Sequence, residues 1–283
     1  MNNIKYFFQF IIIIIFFLIF KIIGLKFSSF LSGKIFNLIG PLFRSNKISN
    51  QNLLTAFPDS NENERKSIIK KMWINYGKIF SEYLFINHIK NSNRIFVENQ
   101  EILDTIKNNS EPVIFISGHF NNFELMAMHI ERTGINLAAI YRPLNNKFLN
   151  PLMEYVRKKH ICKKQIKKGL SGTKEILKNF KDGASIALMI DQRVSEGIKS
   201  KFFNKEAFTT TIPAQFVKKY NAKIVPIYIE RLVDNTFKLK IYNPIEYKKD
   251  DTIEMITFNL NKILEKMILK NPEQWIWTHN RWK

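Results

Sequence analysis

The chain has 283 residues, enough to bury one substantial core, so it requires a single domain and no second one. Its 44 Lys and Arg residues outnumber 24 Asp and Glu, and the formal net charge of +20 predicts an anionic partner, either a nucleic acid, an acidic membrane surface or an acidic protein. The single cysteine, Cys162, excludes an intrachain disulfide and fits a reducing compartment.

A long apolar stretch opens the chain. It runs from Tyr6 to Leu25, is interrupted only by Gln9 and Lys21, and is long enough to cross the hydrocarbon core of a bilayer. No small-residue cleavage site follows it, which favours a membrane anchor over a cleaved signal peptide. We therefore predict an anchor at residues 1–26 and a folded domain at residues 27–283.

The charges around this stretch predict its orientation. Lys5 precedes its apolar core, whereas five basic residues follow that core, namely Lys21, Lys26, Lys34, Arg44 and Lys47. The positive-inside tendency then places the folded domain in the cytoplasm. Whether the stretch spans the bilayer or dips in from one face stays open. The next segment, Phe27 to Phe43, reads as an amphipathic helix that lies along the membrane or packs against the domain.

The rest of the chain alternates buried strands with helical patterns. A helix with a long apolar stripe is predicted to follow Pro58, and an amphipathic helix is predicted from Thr252 to Leu269. Buried strands are predicted at Val113 to Ile116, Leu137 to Tyr141, Ala184 to Ile190 and Lys223 to Glu230. This order predicts an α/β fold with a mixed, largely parallel sheet flanked by helices, preceded by one N-terminal hydrophobic membrane-anchor helix.

The stretch from Pro112 to Arg132 carries the most chemistry. The predicted strand ends in Gly118-His119 and a helix is predicted from Asn121 or Asn122, which brings the Glu124 carboxylate within reach of the imidazole. In one interpretation His119 takes a proton from a hydroxyl group while Glu124 holds its tautomer. In the other, Asn121 and Glu124 form a capping box and His119 is an ordinary turn residue. The residues alone leave both open.

Two further features bear on a ligand site. Asp191 follows a predicted buried strand, at the end where open α/β sheets hold ligands. The segment from Arg157 to Lys181 holds ten Lys or Arg residues against one acid, Glu175. It is either a solvated helix face or a landing site for phosphorylated lipid head groups or an acidic carrier protein. The sequence shows no metal-ligand cluster and no Gly-rich phosphate loop.

Several motifs resemble a known family. The run from Gly118 to Glu124 resembles the His-x4-Asp/Glu motif of the glycerolipid acyltransferase superfamily in its Glu-ending form. Three more blocks narrow the likeness, namely Asn52 to Pro58, Tyr141-Arg142-Pro143 and Pro272 to Lys283. Together they are similar to the bacterial lipid A biosynthesis lauroyl/myristoyl acyltransferases, from about Asn50 to the last residue.

The resemblance implies an enzyme and a set of roles. It implies transfer of a fatty acyl chain from an acyl-carrier-protein thioester to a hydroxyl of a Kdo-containing lipid A precursor, at the cytoplasmic face of the inner membrane, without metal or bound cofactor. His119 would be the general base and Glu124 its partner. The substrate-binding residues implied by position are Arg142, Arg157 and Asp191. Phe120 or backbone N–H groups at the helix start would line the site of the developing oxyanion.

Two alternatives remain at this point. One keeps the chemistry and changes the acceptor to a lysophospholipid, an ornithine lipid or a glycolipid. The other is a non-enzymatic, membrane-tethered basic binding protein. Nucleic acid is not a predicted partner, because the sequence contains no recognised reader motif. Asn204 stands where the resembling family has glycine, and asparagine tolerates the left-handed backbone that such a turn requires.

Overall fold

The structure, a computed structural model, describes residues 2–283, without the side chains at positions 2, 43 and 170. Its α-helices are α1 Asn2–Phe43, α2 Asn46–Ala56, α3 Glu62–Glu82, α4 Ile86–Lys90, α5 Gln100–Asn109, α6 Glu124–Arg132, α7 Asn150–Val156, α8 Leu170–Lys181, α9 Ile212–Tyr220 and α10 Ile253–Lys270. Its strands are β1 Ile95–Glu98, β2 Ile114–Ser117, β3 Leu137–Tyr141, β4 Lys164–Lys167, β5 Ser185–Met189, β6 Ile198–Phe202, β7 Lys205–Thr209, β8 Ile224–Arg231 and β9 Phe237–Ile241.

Seven strands form one sheet in the order β1-β9-β8-β2-β5-β3-β4. The five strands from β8 to β4 are parallel, β9 runs antiparallel to β8, and β1 is parallel to β9. The interior strands are apolar runs because helices or other elements cover both of their faces, as in β2, where all four residues are buried. The predicted mixed, largely parallel sheet flanked by helices is confirmed.

The strand order brings two distant segments together. Strands β2 and β5 are neighbours, and their last residues, Ser117 and Met189, are paired in register. Parallel neighbours end at the same edge of a sheet, so the residues that follow them meet there. This edge, at which β8, β2, β5 and β3 all end, is called the carboxyl edge below.

The N-terminal apolar helix of the prediction is present as α1. Residues 3–42 form a helix long and apolar enough to cross a membrane. The helix breaks at Gly24, whose φ of 75° and ψ of 169° are not helical, and glycine takes such a conformation without a steric penalty. The break lies close to the predicted boundary between residues 1–26 and 27–283, and that division stays a prediction.

The second half of α1 packs closely against α3. At Gly77 an added Cβ would lie 2.2 Å from the carbonyl oxygen of Ser32, and at Gly40 it would lie 2.3 Å from the Trp73 ring. Small residues at these crossings allow the two backbones to approach. The opposite face of this half exposes apolar side chains, with Leu38 78% exposed. The packing of this segment against the domain is confirmed, and its other face is apolar and open. That this face lies along a membrane stays a prediction.

Strands β6 and β7 form a separate two-stranded hairpin. Its turn consists of Phe203 and Asn204, with φ values of 49° and 61°. Both residues lie in the left-handed region, as a tight two-residue hairpin turn requires. The prediction that Asn204 would keep this turn without glycine is confirmed.

Candidate active site

The imidazole of His119 is held by a carboxylate from the neighbouring strand. His119 follows β2 and Asp191 follows β5, and Nδ1 of His119 lies 2.8 Å from Oδ1 of Asp191. The backbone N–H of His119 donates to Oδ2 of the same carboxylate at 2.8 Å. The Asp191 side chain is fully buried, whereas the His119 side chain is 20% exposed. Since the buried carboxylate accepts from Nδ1–H, Nε2 is the nitrogen available to accept a proton from a substrate.

The carboxylate of Asp191 stays ionised in this setting. Burial on its own would raise the pKa of Asp191, but the charge of His119 and the hydrogen bonds from His119 and Trp275 lower it to about 2. The indole Nε1–H of Trp275 donates to Oδ2 at 2.8 Å. Asp191 therefore accepts three hydrogen bonds and keeps a full negative charge against the imidazole.

The predicted hydrogen bond between His119 and Glu124 is wrong. Oε1 of Glu124 accepts from Arg157 instead, at 2.9 Å from Nε and 2.5 Å from Nη2, and from the hydroxyl of Tyr83. The turn between the two motif residues contains Asn121 in the left-handed conformation, with φ of 45°, and α6 begins only at Glu124. That geometry directs the Glu124 side chain towards the end of α3 rather than towards the imidazole.

The alternative capping box is wrong for the same reason. The residue that precedes α6 is Phe123, and no side chain caps the helix there. The side-chain oxygen of Asn121 accepts from the backbone N–H of Asn122 at 2.7 Å. The motif is thus neither a local dyad nor a local cap, and its two ionisable residues belong to two different networks.

Glu124, Arg157 and Tyr83 form a buried network of their own. Burial on its own would lower the pKa of Arg157, but the carboxylate of Glu124 and the oxygen of Tyr83 raise it. Burial and the Glu124 charge raise the pKa of the Tyr83 phenol well above its usual range. Arg157 begins a single π-helical turn, Arg157–Ile161, at the end of α7. Such turns are often found at functional sites, and this one carries Arg157 inwards.

A third network braces the motif from behind. The buried Glu82 carboxylate pairs with the guanidinium of Arg231 and accepts from the side-chain amide of Asn122 at 3.0 Å. Glu82 and Tyr83 are consecutive at the end of α3, so this one helix end is bonded to Asn122 and Glu124, two residues of the motif. Glu82, Tyr83 and Arg231 were not identified from the sequence. Their only signals were an acid next to an aromatic residue after an apolar helical stripe, and an arginine directly after the predicted strand Lys223 to Glu230.

The C-terminal block holds the turn from the other side. The backbone N–H of Asn121 donates to the carbonyl of Gln274 at 2.8 Å, and its side chain donates to Oε1 of Gln274 at 2.6 Å. Asn52 donates to the carbonyls of Trp277 and His279 at 2.8 and 2.6 Å. Two blocks that carried the resemblance, near Asn52 and after Pro272, therefore meet in space, and the second of them supports the turn that carries His119.

Of the oxyanion donors that the sequence suggested, Phe120 and the N–H groups of the turn are not available. Phe120 is fully buried and packs on Tyr228, with ring centroids 5.1 Å apart, so it does not line an open site. The backbone N–H groups of residues 119–122 are all bonded to acceptors of the protein, namely Asp191, Gly118, Gln274 and Asn121. The N–H groups of Phe123 and Glu124, at the start of α6 itself, have no acceptor among the described residues, so the prediction for the helix start stays a prediction. Arg142, exposed directly after β3 at the carboxyl edge, has no hydrogen-bond or ion-pair partner among the described side chains.

The Lys-rich segment forms one exposed surface, here called the basic edge. It comprises the exposed lysines of the α7 end, the edge strand β4 and α8, namely Lys158, Lys159, Lys163, Lys164, Lys167, Lys168, Lys174, Lys178 and Lys181. Lys167 pairs with Glu154 at 3.3 Å. Since β4 is parallel to β3, its last lysines lie at the carboxyl edge. Three surface cavities, of about 220, 540 and 600 Å³, lie elsewhere, and none is lined by His119, Glu124 or Asp191.

Comparison with known proteins decides the family. The family model for bacterial lipid A biosynthesis acyltransferases matches residues 1–283. The chain belongs to this family. It is therefore an acyltransferase, and the family supports acyl transfer to lipid A.

The relatives of this lipid A acyltransferase differ in the acyl group that their names state. The chain is 26% identical to the lipid A biosynthesis lauroyltransferase of Escherichia coli K12, over 85% of this chain and 79% of that protein. It is 26% identical to the palmitoleoyltransferase of the same strain, over 86% and 80%, and 23% identical to the myristoyltransferase, over 80% and 71%. The family assignment thus leaves the acyl chain open.

Proposed function

We propose that this lipid A acyltransferase transfers a fatty acyl chain from an acyl-carrier-protein thioester to a hydroxyl of a Kdo-containing lipid A precursor, with His119 as general base. The observation that carries the proposal is the 2.8 Å bond from Nδ1 of His119 to the buried carboxylate of Asp191. It holds the imidazole in the tautomer whose Nε2 accepts a proton, at the sheet edge where α/β folds hold ligands.

The reaction needs one proton transfer and one displacement. Nε2 of His119 takes the proton of the acceptor hydroxyl as its oxygen attacks the thioester carbonyl. The tetrahedral intermediate then collapses, the carbon–sulfur bond breaks, and the leaving thiolate takes the proton from the imidazolium. Asp191 stabilises that imidazolium because it remains ionised throughout. An ester and a free carrier thiol are the products.

The arginines differ in their proposed roles. Arg142 is exposed at the carboxyl edge and is suited to the oxyanion or to a phosphate of the acceptor. Arg157 is only 11% exposed and its guanidinium is bonded to Glu124. Its role is therefore to hold the motif helix in place, and Glu124 acts through that pair rather than on the imidazole.

The donor and the membrane have separate surfaces. The basic edge presents a dense positive charge at the carboxyl edge of the sheet, which suits an acidic carrier protein. The exposed apolar faces of α1 suit the bilayer, and the lysines that follow its apolar core favour the cytoplasmic side of the inner membrane. We propose that the carrier docks from the cytoplasm while the acceptor remains in the membrane.

The test is transfer by the purified full chain in detergent micelles, with a set of acyl carrier proteins loaded with different fatty acids and a Kdo-containing lipid A precursor. His119→Ala is expected to lower the rate about 10² to 10⁴-fold, the usual contribution of a general base. His88→Ala serves as the matched control, because His88 is exposed on α4. Undiminished transfer by His119→Ala contradicts the assignment of the base. A lysophospholipid or an ornithine lipid, offered in parallel, identifies a different acceptor.

A further inference from the structure

The first half of α1, residues 3–23, has two different faces. Side chains on its outer face are open, with Phe8 61%, Ile12 53% and Leu18 59% exposed. The face made by Tyr6, Gln9, Phe10, Phe17 and Phe20 is half-buried or buried against the domain, and Phe20 is only 1% exposed. Tyr6, Phe10 and Phe17 are spaced four and seven residues apart, and Gln9 and Phe20 each lie three residues after one of them, so all five share one side of the helix. An anchor helix surrounded by lipid would be exposed on every side. In α1 this set of five side chains, here called the domain-facing set, packs on the folded domain instead.

The N-terminal end of the helix is tied to the loop that follows β3. The side-chain amide of the buried Asn146 donates to the carbonyl of Tyr6 at 2.9 Å and to Oε1 of Gln9 at 3.4 Å. Its oxygen accepts from the backbone N–H of Phe148 at 3.0 Å. The Phe148 ring packs on Phe10, with centroids 6.3 Å apart. This loop begins at Arg142, so the helix contacts the segment that carries the exposed arginine of the site.

The other end of the helix is tied near the end of α3 and the β8–β9 turn. The rings of Phe17 and Phe20 pack on Phe80, with centroids 5.2 and 6.4 Å apart. Phe80 lies two residues before Glu82 and three before Tyr83, which hold the motif. Leu25 and Lys26, just past the break, line the 220 Å³ cavity together with residues of the β8–β9 turn.

These contacts place the helix along the carboxyl edge. The β8–β9 turn and the loop after β3 lie on either side of the pair β2 and β5, which carries His119 and Asp191. Four neighbouring strands span roughly 14 Å at about 4.8 Å per step, whereas residues 6–23 of a helix span roughly 26 Å. The first half of α1 is therefore long enough to pass the whole edge. It is hydrogen-bonded to the loop after β3 at one end, and the residues just past its other end share a cavity with the β8–β9 turn.

We propose that the domain-facing set of α1 forms one wall of the passage by which a fatty acyl chain reaches His119 from the bilayer, and so helps to select its length. This inference rests on the proposed function and names the surface that the acyl chain contacts. The seam between this set and the domain is aromatic, lined by Phe10 and Phe148 at one end and by Phe17, Phe20 and Phe80 at the other. The outer face of the same helix is apolar and exposed. A saturated chain sliding from lipid into this seam exchanges one apolar environment for another, at little desolvation cost.

The test compares matched pairs of substitutions on the two faces of one helix. Phe10→Ala with Phe17→Ala opens the proposed wall, and Phe8→Ala with Leu18→Ala removes similar volume from the outer face. The readouts are membrane retention, and kcat and KM for carrier proteins loaded with chains of increasing length. The inner pair is expected to change the preferred chain length and to raise KM for the acyl donor at least tenfold, while the outer pair keeps the wild-type chain-length preference and KM.

Two further variants separate a wall from mere packing. Phe17→Leu keeps the seam filled and is expected to restore most of the wild-type length profile, whereas Phe17→Trp narrows it and is expected to shift preference towards shorter chains. Equal behaviour of the inner and outer pairs, or a loss that is uniform over all chain lengths in every inner variant, would overturn the proposal. If the wild-type enzyme acylates a different lipid acceptor, the assignment of the acceptor in the proposed function fails. The chain-length profiles of the variants still test whether α1 forms a wall for the acyl chain.

Discussion

Two carboxylates are candidates to pair with His119, and only one of them is bonded to its ring. Asp191 lies 72 residues from His119 along the chain and is hydrogen-bonded to its ring. Glu124 lies five residues away and is bonded to Arg157 and Tyr83. The order of strands in the sheet therefore decides the partner of the imidazole, and proximity along the chain does not.

The difference has a simple structural origin. Neighbouring parallel strands end about 4.8 Å apart, so side chains that follow them face each other across a fixed, short gap. A residue at the start of a helix points where the first turn directs it, and here the left-handed Asn121 turns the helix so that Glu124 meets the end of α3. Asp191 is thus placed to act on His119, and Glu124 is placed to hold the motif.

The largest expected effect comes from Asp191→Asn. The amide can accept with one atom only, so it cannot serve the ring N–H, the backbone N–H of His119 and the Trp275 N–H together. We expect kcat to fall about 10² to 10⁴-fold because the imidazole loses its tautomer and its counter-charge. Membrane retention and a circular dichroism spectrum check that the variant is folded. Activity near the wild-type level would remove Asp191 from the mechanism.

Sequence reasoning reached one half of this site and not the other. The buried strands, the long apolar helix and the placement of His119 and Asp191 beyond strand ends all follow from local patterns of apolar residues. The pairing of His119 with Asp191 does not, since strand order is set by packing between distant segments. The inward turn of Arg157 was equally hidden, because a π-helical turn has no composition of its own.

The next effect tests Glu124 as a holding residue. Glu124→Gln keeps the size of the side chain and leaves the buried Arg157 without a counter-charge, which is expected to lower the free energy of unfolding by about 3 kcal/mol. The pH dependence of kcat/KM should keep its wild-type shape, because the bond from His119 to Asp191 is intact. Thermal unfolding in detergent measures the first effect. A pH profile displaced as in Asp191→Asn would show that Glu124 acts on the imidazole after all.

A third, smaller effect is the loss of folding stability at low pH that the ionised Asp191 predicts. The pKa of Asp191 is about 2 in the folded protein and near 3.8 in an unfolded chain, so the folded state binds fewer protons between these values. The stabilisation is fully present above pH 4 and is lost as the pH falls towards 2, by about 2 to 3 kcal/mol. Unfolding of the wild type followed from pH 5 to pH 2 should show this loss. The same titration of Asp191→Asn should be flatter by that amount, and equal slopes would contradict the pKa shift.

The smallest expected effect comes from the hydrogen bond between Trp275 and Asp191. Trp275→Phe removes the indole N–H that Asp191 accepts and keeps most of the aromatic packing on Trp277, whose ring lies 4.7 Å away. A hydrogen bond to a charged group contributes roughly 1.5 to 3 kcal/mol, and part of it will appear as a loss of kcat of about tenfold, because the carboxylate is less firmly oriented on His119. Trp282→Phe is the control, since its N–H donates at 3.0 Å to the carbonyl of Phe202 and not to Asp191. If both variants lose stability and neither loses kcat, Trp275 supports the fold and not the orientation of the catalytic pair.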